Sequence, residues 1–202
     1  MNISALILAA GKSERMGTPK LVLSWRGKPI LSHVIDNALE GGVSEAVVVL
    51  GHEAELIEEK AIKVFPNKPV RVAYNPQYAS GMLSSIQCGL KALRNTTEAV
   101  LLALGDQPTV PSSVYRTLIE SFPTCRKGIL IPRFCGKRGH PLIIHKKHFP
   151  FLLALDPTRE SLHQLTSSFP EDICHLDLKN KEVLIDLDRP EDFERLTGKE
   201  SV

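Results

Sequence analysis

The hydrophobic positions of this chain fall into short solid runs separated by stretches with helical spacing. Ile3 to Ala9 is an apolar run closed by Ala10-Gly11, as expected of a strand buried on both faces. A hydrophilic stretch from Gly11 to Lys20 follows. Pro29 then opens a helix in which Ile30, Leu31, Val34, Ile35, Ala38 and Leu39 share one face, and Gly41-Gly42 stops it. Ala46 to Leu50 is a second buried strand ended by Gly51. Glu53 to Val64 reads as a charged helix with Leu56, Ile57, Ala61 and Val64 as its apolar positions. Val70 to Tyr74 is a third strand, closed by Asn75-Pro76. Ser80 or Ser84 is placed to cap a helix carrying Ile86, Leu90 and Leu93. Ala99 to Leu104 is a fourth strand, and Pro111 starts a further helix.

Beyond these, Gly128 to Pro132 contains a short strand, and Pro141 to His145 reads as a strand of an antiparallel addition carrying acceptor contacts. Lys146 to Ala154 and Glu160 to Ser167 are expected helices, and Val183 to Leu187 a final short strand. Arg189-Pro190 leads into a terminal helix bearing Phe193 and Leu196. Apolar strands that alternate with helices imply right-handed crossovers and an α/β fold built on a mostly parallel sheet. No internal repeat or low-complexity linker divides the chain, so residues 1–202 are expected to form a single domain.

Composition narrows the partners. Hydrophobic residues are 43% and charged residues 24% of the chain, ordinary for a globular protein. The formal charge of +2 comes from 25 basic and 23 acidic side chains, well mixed along the chain. That balance gives no general reason to expect nucleic acid or a membrane surface, and any attraction for anions must be local. The run Ala5 to Ala10 is too short for a signal peptide, and nothing approaches the roughly 20 apolar residues of a membrane span. Cys88, Cys125, Cys135 and Cys174 are scattered, with no CxxC pair, and read as unpaired thiols. A cytoplasmic protein is the expectation.

In an open parallel sheet, ligands bind beyond the carboxyl ends of the strands. Two segments there carry suitable chemistry. The first is Leu8-Ala9-Ala10-Gly11-Lys12-Ser13-Glu14-Arg15-Met16-Gly17-Thr18-Pro19-Lys20. Its small residues admit a ligand close to the backbone, its exposed amides can hold phosphate oxygens, and Arg15 and Lys20 add fixed positive charge. Gly11-Lys12-Ser13 is not a P-loop, because Leu6 stands where that motif needs its first glycine. Gly11 and Gly17 lack the third glycine of a dinucleotide fingerprint. The second segment is Leu104-Gly105-Asp106-Gln107-Pro108, which sets a carboxylate at the end of a hydrophobic strand, as a magnesium ligand requires. Taken singly, the first segment also reads as a polar surface loop and the second as a simple turn.

Together the two are more specific, and the chain resembles the MobA-like nucleotidyltransferase superfamily. Within it the resemblance is to molybdenum cofactor cytidylyltransferases and to purine-catabolism accessory proteins that serve xanthine dehydrogenase. The match is carried by LAAGKSERMGTPK at 8–20, SGMLSSIQCGL at 80–90, LGDQP at 104–108 and GKRGHPLII at 136–144, with Asp186-Leu187-Asp188-Arg189-Pro190-Glu191-Asp192 as the ending.

The resemblance implies a Rossmann-like, glycosyltransferase-A-like three-layer fold, with about residues 1–110 binding nucleotide and the remainder the acceptor. It implies that Leu8, Ala9, Ala10, Gly11 and Lys12 line the nucleotide, with Ser80, Gly81, Ser84 and Ser85 as a second nucleotide-binding element. Arg15 and Lys20 would hold the triphosphate, and Asp106 would bind Mg2+. Asp188 or Asp186 is the candidate second carboxylate, the alternative being a helix-capping role for this Asp-rich ending. Gly139 and His140 match the acceptor-side GHP element.

The implied reaction moves CMP from CTP to the phosphate of molybdenum-molybdopterin for a xanthine-dehydrogenase-type client. Ala10, where guanylyl-transferring relatives tend to carry glycine, favours CTP over GTP. The alternatives are a cytidylyltransferase for a sugar or polyol phosphate, and a non-catalytic carrier of the finished cofactor. Lys20 and Asp106 speak against pure carriage, since a carrier has no use for a triphosphate site.

Overall fold

The computed structural model describes residues 1–13 and 16–198. In chain order the strands are β1 (Ile3–Ala9), β2 (Ser24–Trp25), β3 (Lys28–Pro29), β4 (Ala46–Leu50), β5 (Val70–Tyr74), β6 (Ala99–Leu104), β7 (Ile129–Phe134), β8 (Lys137–Arg138), β9 (Leu142–His145) and β10 (Ile173–Asp177). The α-helices are α1 (Ile30–Gly41), α2 (Ala54–Ile57), α3 (Met82–Ala92), α4 (Ser112–Cys125), α5 (Phe149–Ala154), α6 (His163–Ser168) and α7 (Pro190–Thr197). The main sheet has the order β10-β7-β9-β6-β1-β4-β5, with β8 paired to β7, while β2 and β3 form a separate antiparallel pair. Pairing is parallel for β1 with β4 and β6, β4 with β5, and β10 with β7, whereas β9 runs against both β6 and β7. The expected antiparallel strand therefore lies inside the sheet.

The wholly apolar runs are β4, buried along its whole length, and β6, with β1 apolar but for Ser4, while the third run, β5, lies at the sheet edge with only Ala73 buried. One face of the sheet packs Ile7, Val48, Leu101 and Leu130 against α1 and α4 through Leu31, Ile35, Val114 and Leu118. The other packs Leu6, Val49, Leu102 and Ile144 against α3 and α5 through Leu83, Ile86 and Leu152. Apolar burial on both faces gives the three layers their driving force. Among the described residues, no helix is long and apolar enough to cross a membrane, and the four cysteines are free thiols.

Several local expectations are corrected. The charged helix after β4 is a single α turn followed by a π turn, Glu58–Ile62. The wider turn buries Ile57, Ala61, Ile62 and Phe65 and leaves Leu56 and Val64 exposed, at 39% and 57%. Neither Ser80 nor Ser84 caps α3: Gly81 stands at the cap with a φ of 100°, and the Ser84 hydroxyl donates to the Gly81 and Gln77 carbonyls. Val183 to Leu187 is no strand. Lys181–Leu184 forms a 3-10 turn, and the edge beside β7 is taken by β10, which the sequence pattern did not reveal.

That outer edge is pinned by one carboxylate. Asp172 accepts from the Gly128 amide at 2.9 Å and meets Lys147 and His148, each at 2.7 Å. Burial works against its charge, but Lys147, the Gly128 amide and His148 prevail and hold its pKa at about 2. A carboxyl group depressed on folding stabilises above its unfolded pKa, and that stabilisation fades as pH falls through the folded value. Asp172→Asn is expected to cost on the order of 1–2 kcal/mol at pH 7. In urea titrations the gap between mutant and wild type should close as pH falls from about 4 towards 2; a gap of constant size would refute this.

Candidate active site

The first and fourth apolar runs end side by side. β1 lies between β4 and β6, and the Gly105 amide just past β6 donates to the Leu8 carbonyl at 2.9 Å. A side chain at Gly105 would start 2.9 Å from that same oxygen, so only glycine lets the tail of β6 approach so closely. Asp106 is thereby set against the turn that follows β1. Lys20 arrives from the other end of this turn, in a short 3-10 segment whose Leu21 is buried.

The Lys20 ammonium donates to Asp106 Oδ2 at 2.5 Å and to Asp188 Oδ1 at 3.0 Å. Its side chain is only 12% exposed. Burial disfavours its charge, yet the charges of Asp106 and Asp188 and the hydrogen bonds to them outweigh burial and raise its pKa above the ordinary lysine value. Asp186, the other candidate carboxylate, accepts instead from the buried Gln107 amide at 2.5 Å. Desolvation raises its pKa, the Gln107 hydrogen bond opposes, and repulsion from Asp106 and Asp188 leaves it above the usual carboxylate range. Asp192 performs the capping role, accepting from the Asp188 and Arg189 amides at 3.2 and 2.9 Å.

Lys20, Asp106, Asp186 and Asp188 line a cavity of about 630 Å³. Its wall includes Leu8, Ala9, Ala10, Gly11 and Lys12 from the first motif and Gly81 and Ser85 from the second. Ser80 and Ser84 are not on it; Ser84 is buried and receives the Asn75 side-chain amide at 2.9 Å. Sequence reasoning missed Tyr78, Ala79 and Met82, which also line the cavity. Met82 is 51% exposed at the start of α3, and an apolar residue at the first position of a helix is a signal that could have found it. Tyr78 had no such signal. It is seated by Gly51, where an added Cβ would fall 2.6 Å from that of Tyr78 and 2.9 Å from that of Ala10.

His140 and Gly139 are not on the cavity wall. The His140 amide donates to the Val183 carbonyl at 3.0 Å, and its Nε2 is buried without a hydrogen-bond partner. Burial lowers its pKa, and the Asp106 charge offsets part of that effect. Arg15 lies outside the described residues.

A family model described as the MobA-like NTP transferase domain matches residues 5–172. The chain belongs to the MobA-like NTP transferase family. It is 30% identical over 199 residues to the molybdenum cofactor cytidylyltransferase of Escherichia coli K12, covering 98% of this chain and 96% of that one. It is 33% identical over 149 residues to the nicotine blue oxidoreductase of Paenarthrobacter nicotinovorans, 70% of each chain. The crystal structure of Rv0371c from Mycobacterium tuberculosis H37Rv superimposes with a TM-score of 0.82 at 26% identity, covering 98% of this chain and 97% of that one. Rv0371c has also been solved as a complex with manganese (TM-score 0.79, 24% identity, 98% and 99% coverage). The chain is thus a nucleotidyltransferase by family, and the acceptor has to be argued from the site.

Chemically, two carboxylates that converge on one cation form a hard oxygen donor set. That set fits a divalent ion of the magnesium type, which takes few carboxylates and completes its shell with phosphate and water. Among the described residues, no group of three or more His, Cys, Asp or Glu is arranged to hold a metal. In metal-free protein the Asp106→Asn variant is expected to lower the Asp186 pKa part of the way towards its ordinary value, because one repelling charge is gone. Carboxyl ¹³C titration reads this directly, and an unmoved or raised Asp186 would contradict the geometry.

Proposed function

We propose that this protein transfers CMP from CTP to the terminal phosphate of molybdenum-molybdopterin. Pyrophosphate is released, and the product is the cytosine dinucleotide form used by a xanthine-dehydrogenase-type client. The observation that carries the reading is the Lys20 ammonium held between Asp106 and Asp188 on the cavity wall. Similarity over nearly the full chain to a cytidylyltransferase of this cofactor supports the acceptor.

An oxygen of the acceptor phosphate attacks the α-phosphorus of CTP in line. The bond from that phosphorus to the bridging oxygen breaks, and pyrophosphate leaves with the electron pair. A phosphate monoester needs no strong base, so the residues act by positioning and charge neutralisation. The turn from Ala10 to Ser13 offers amides to the triphosphate, with Arg15 assigned to the same task by its motif. Lys20 neutralises charge at the α-phosphate. Asp106 and Asp188 would hold Mg2+, which when bound would supply Lewis-acid stabilisation of charge on the phosphate oxygens.

Residues from about 1 to 110 carry the nucleotide, and the remainder carries the acceptor. His140, off the cavity wall and with its buried Nε2 unpartnered, is assigned to the acceptor side by its motif; with Nε2 protonated it would donate to an oxygen of the incoming phosphate. The Ala10 methyl lies on the cavity wall beside Gly51 and would take room from a larger purine base.

Lys20→Ala and Asp106→Ala are each expected to lower pyrophosphate release by on the order of 10²–10³ while circular dichroism shows the fold intact. Turnover close to wild type in either folded variant ends the assignment. EDTA should abolish activity, and excess Mg2+ should restore it. Wild-type protein should favour CTP over GTP in kcat/KM by at least about tenfold, and Ala10→Gly should narrow that ratio. A wild-type preference for GTP would remove the cytidine assignment.

A further inference from the structure

We propose that Gln107 is a positioning residue which, by gripping Asp186, sets the segment from Val183 to Asp192 so that Asp188 faces Lys20 and Asp106. The inference rests on the assignment of Asp106 and Asp188 to the divalent cation. Gln107 is 3% exposed and follows Asp106 directly, so one turn both presents Asp106 and reaches for the opposite segment.

That segment has no sheet to hold it. After the 3-10 turn Lys181–Leu184 the backbone is extended at Ile185 and again at Arg189, before α7 begins. Its place is set by point contacts. The Val183 carbonyl accepts from the His140 amide at 3.0 Å, and the Leu187 amide donates to the Asp106 carbonyl at 3.2 Å. The Leu187 side chain is buried with Trp25 and Ile30. The Gln107–Asp186 bond at 2.5 Å falls between these two anchors.

In extended backbone, residues two apart point to the same side. Asp186 and Asp188 both line the cavity while Leu187 between them points into the apolar cluster. Holding the Asp186 carboxylate therefore fixes the side on which Asp188 emerges. The Lys20 hydrogen bonds select Asp106 and Asp188, which leaves Asp186 to Gln107. Groups that orient a metal ligand commonly matter by 10–100-fold in metal affinity.

The test compares a broken grip with a preserved one, using Mn2+ as probe with the α,β-methylene analogue of CTP. Free Mn2+ is read by electron paramagnetic resonance, and Leu187 amide exchange is read by NMR on metal-free protein. Gln107→Leu and Asp186→Leu should each weaken Mn2+ by about 10–100-fold and speed exchange at Leu187. Asp186→Asn, which keeps an acceptor oxygen for the Gln107 amide, should stay within about threefold of wild type in Mn2+ affinity.

Loss in Asp186→Asn as large as in Asp188→Asn would make Asp186 a ligand and overturn the proposal. Unchanged Mn2+ binding and unchanged Leu187 exchange in both leucine variants would show that the apolar seat of Leu187 suffices, and would overturn it too. If wild type binds no Mn2+ with the analogue, the metal assignment fails. Leu187 exchange then still decides whether the grip exists.

Discussion

Two carboxylates cannot be held near one point of a protein without a cation between them, because their repulsion would drive protonation or separation. Here that cation is the ammonium of Lys20, bonded to Asp106 and Asp188. The requirement is mutual: a mostly buried lysine keeps its proton only beside negative charge. The three side chains come from the turn after β1, the tail of β6 and the segment before α7. Their meeting ties together both ends of the chain.

The sheet makes that meeting possible. Parallel β1 and β6 bring their carboxyl ends to one edge, and Gly105 closes the gap between them. On that base the segment around Leu187 docks through an apolar seat and a few polar contacts, a lighter attachment than a strand ladder. The expensive burial is spent on the layers, and the site is assembled on their rim from short, individually placed bonds.

Much of this was legible in the sequence. The runs of β1, β4 and β6 stand out because strands covered on both faces must be apolar throughout. Asp106 and Lys20 are legible because each sits where such a run, or the loop leaving it, meets solvent. β10 escaped notice because Ile173 to Asp177 is an edge strand, none of it fully buried, with His175 and Asp177 breaking the apolar signal. Ser84 carries a capping pattern, but the turn at Gly81 points its hydroxyl inward to Asn75. The Gln107–Asp186 bond spans 79 residues, and no local pattern encodes a contact of that range. Val64 was misread because the period assumed was that of an α-helix, and the chain takes a π turn just before it.

Strand β9 runs against its neighbours, so it begins at the edge where they finish. The hairpin of β7 and β8 turns at that same edge through Cys135 and Gly136, with φ of 49° and 78°. A two-residue turn of this type sets Phe134 opposite Lys137 through backbone conformation, which glycine adopts freely at 136 and which Cys135 adopts against the preference of its side chain. The alignment of β7, buried over its first four residues, is thereby fixed at its exposed end by the backbone of two residues, and a bulkier residue at 136 would loosen it.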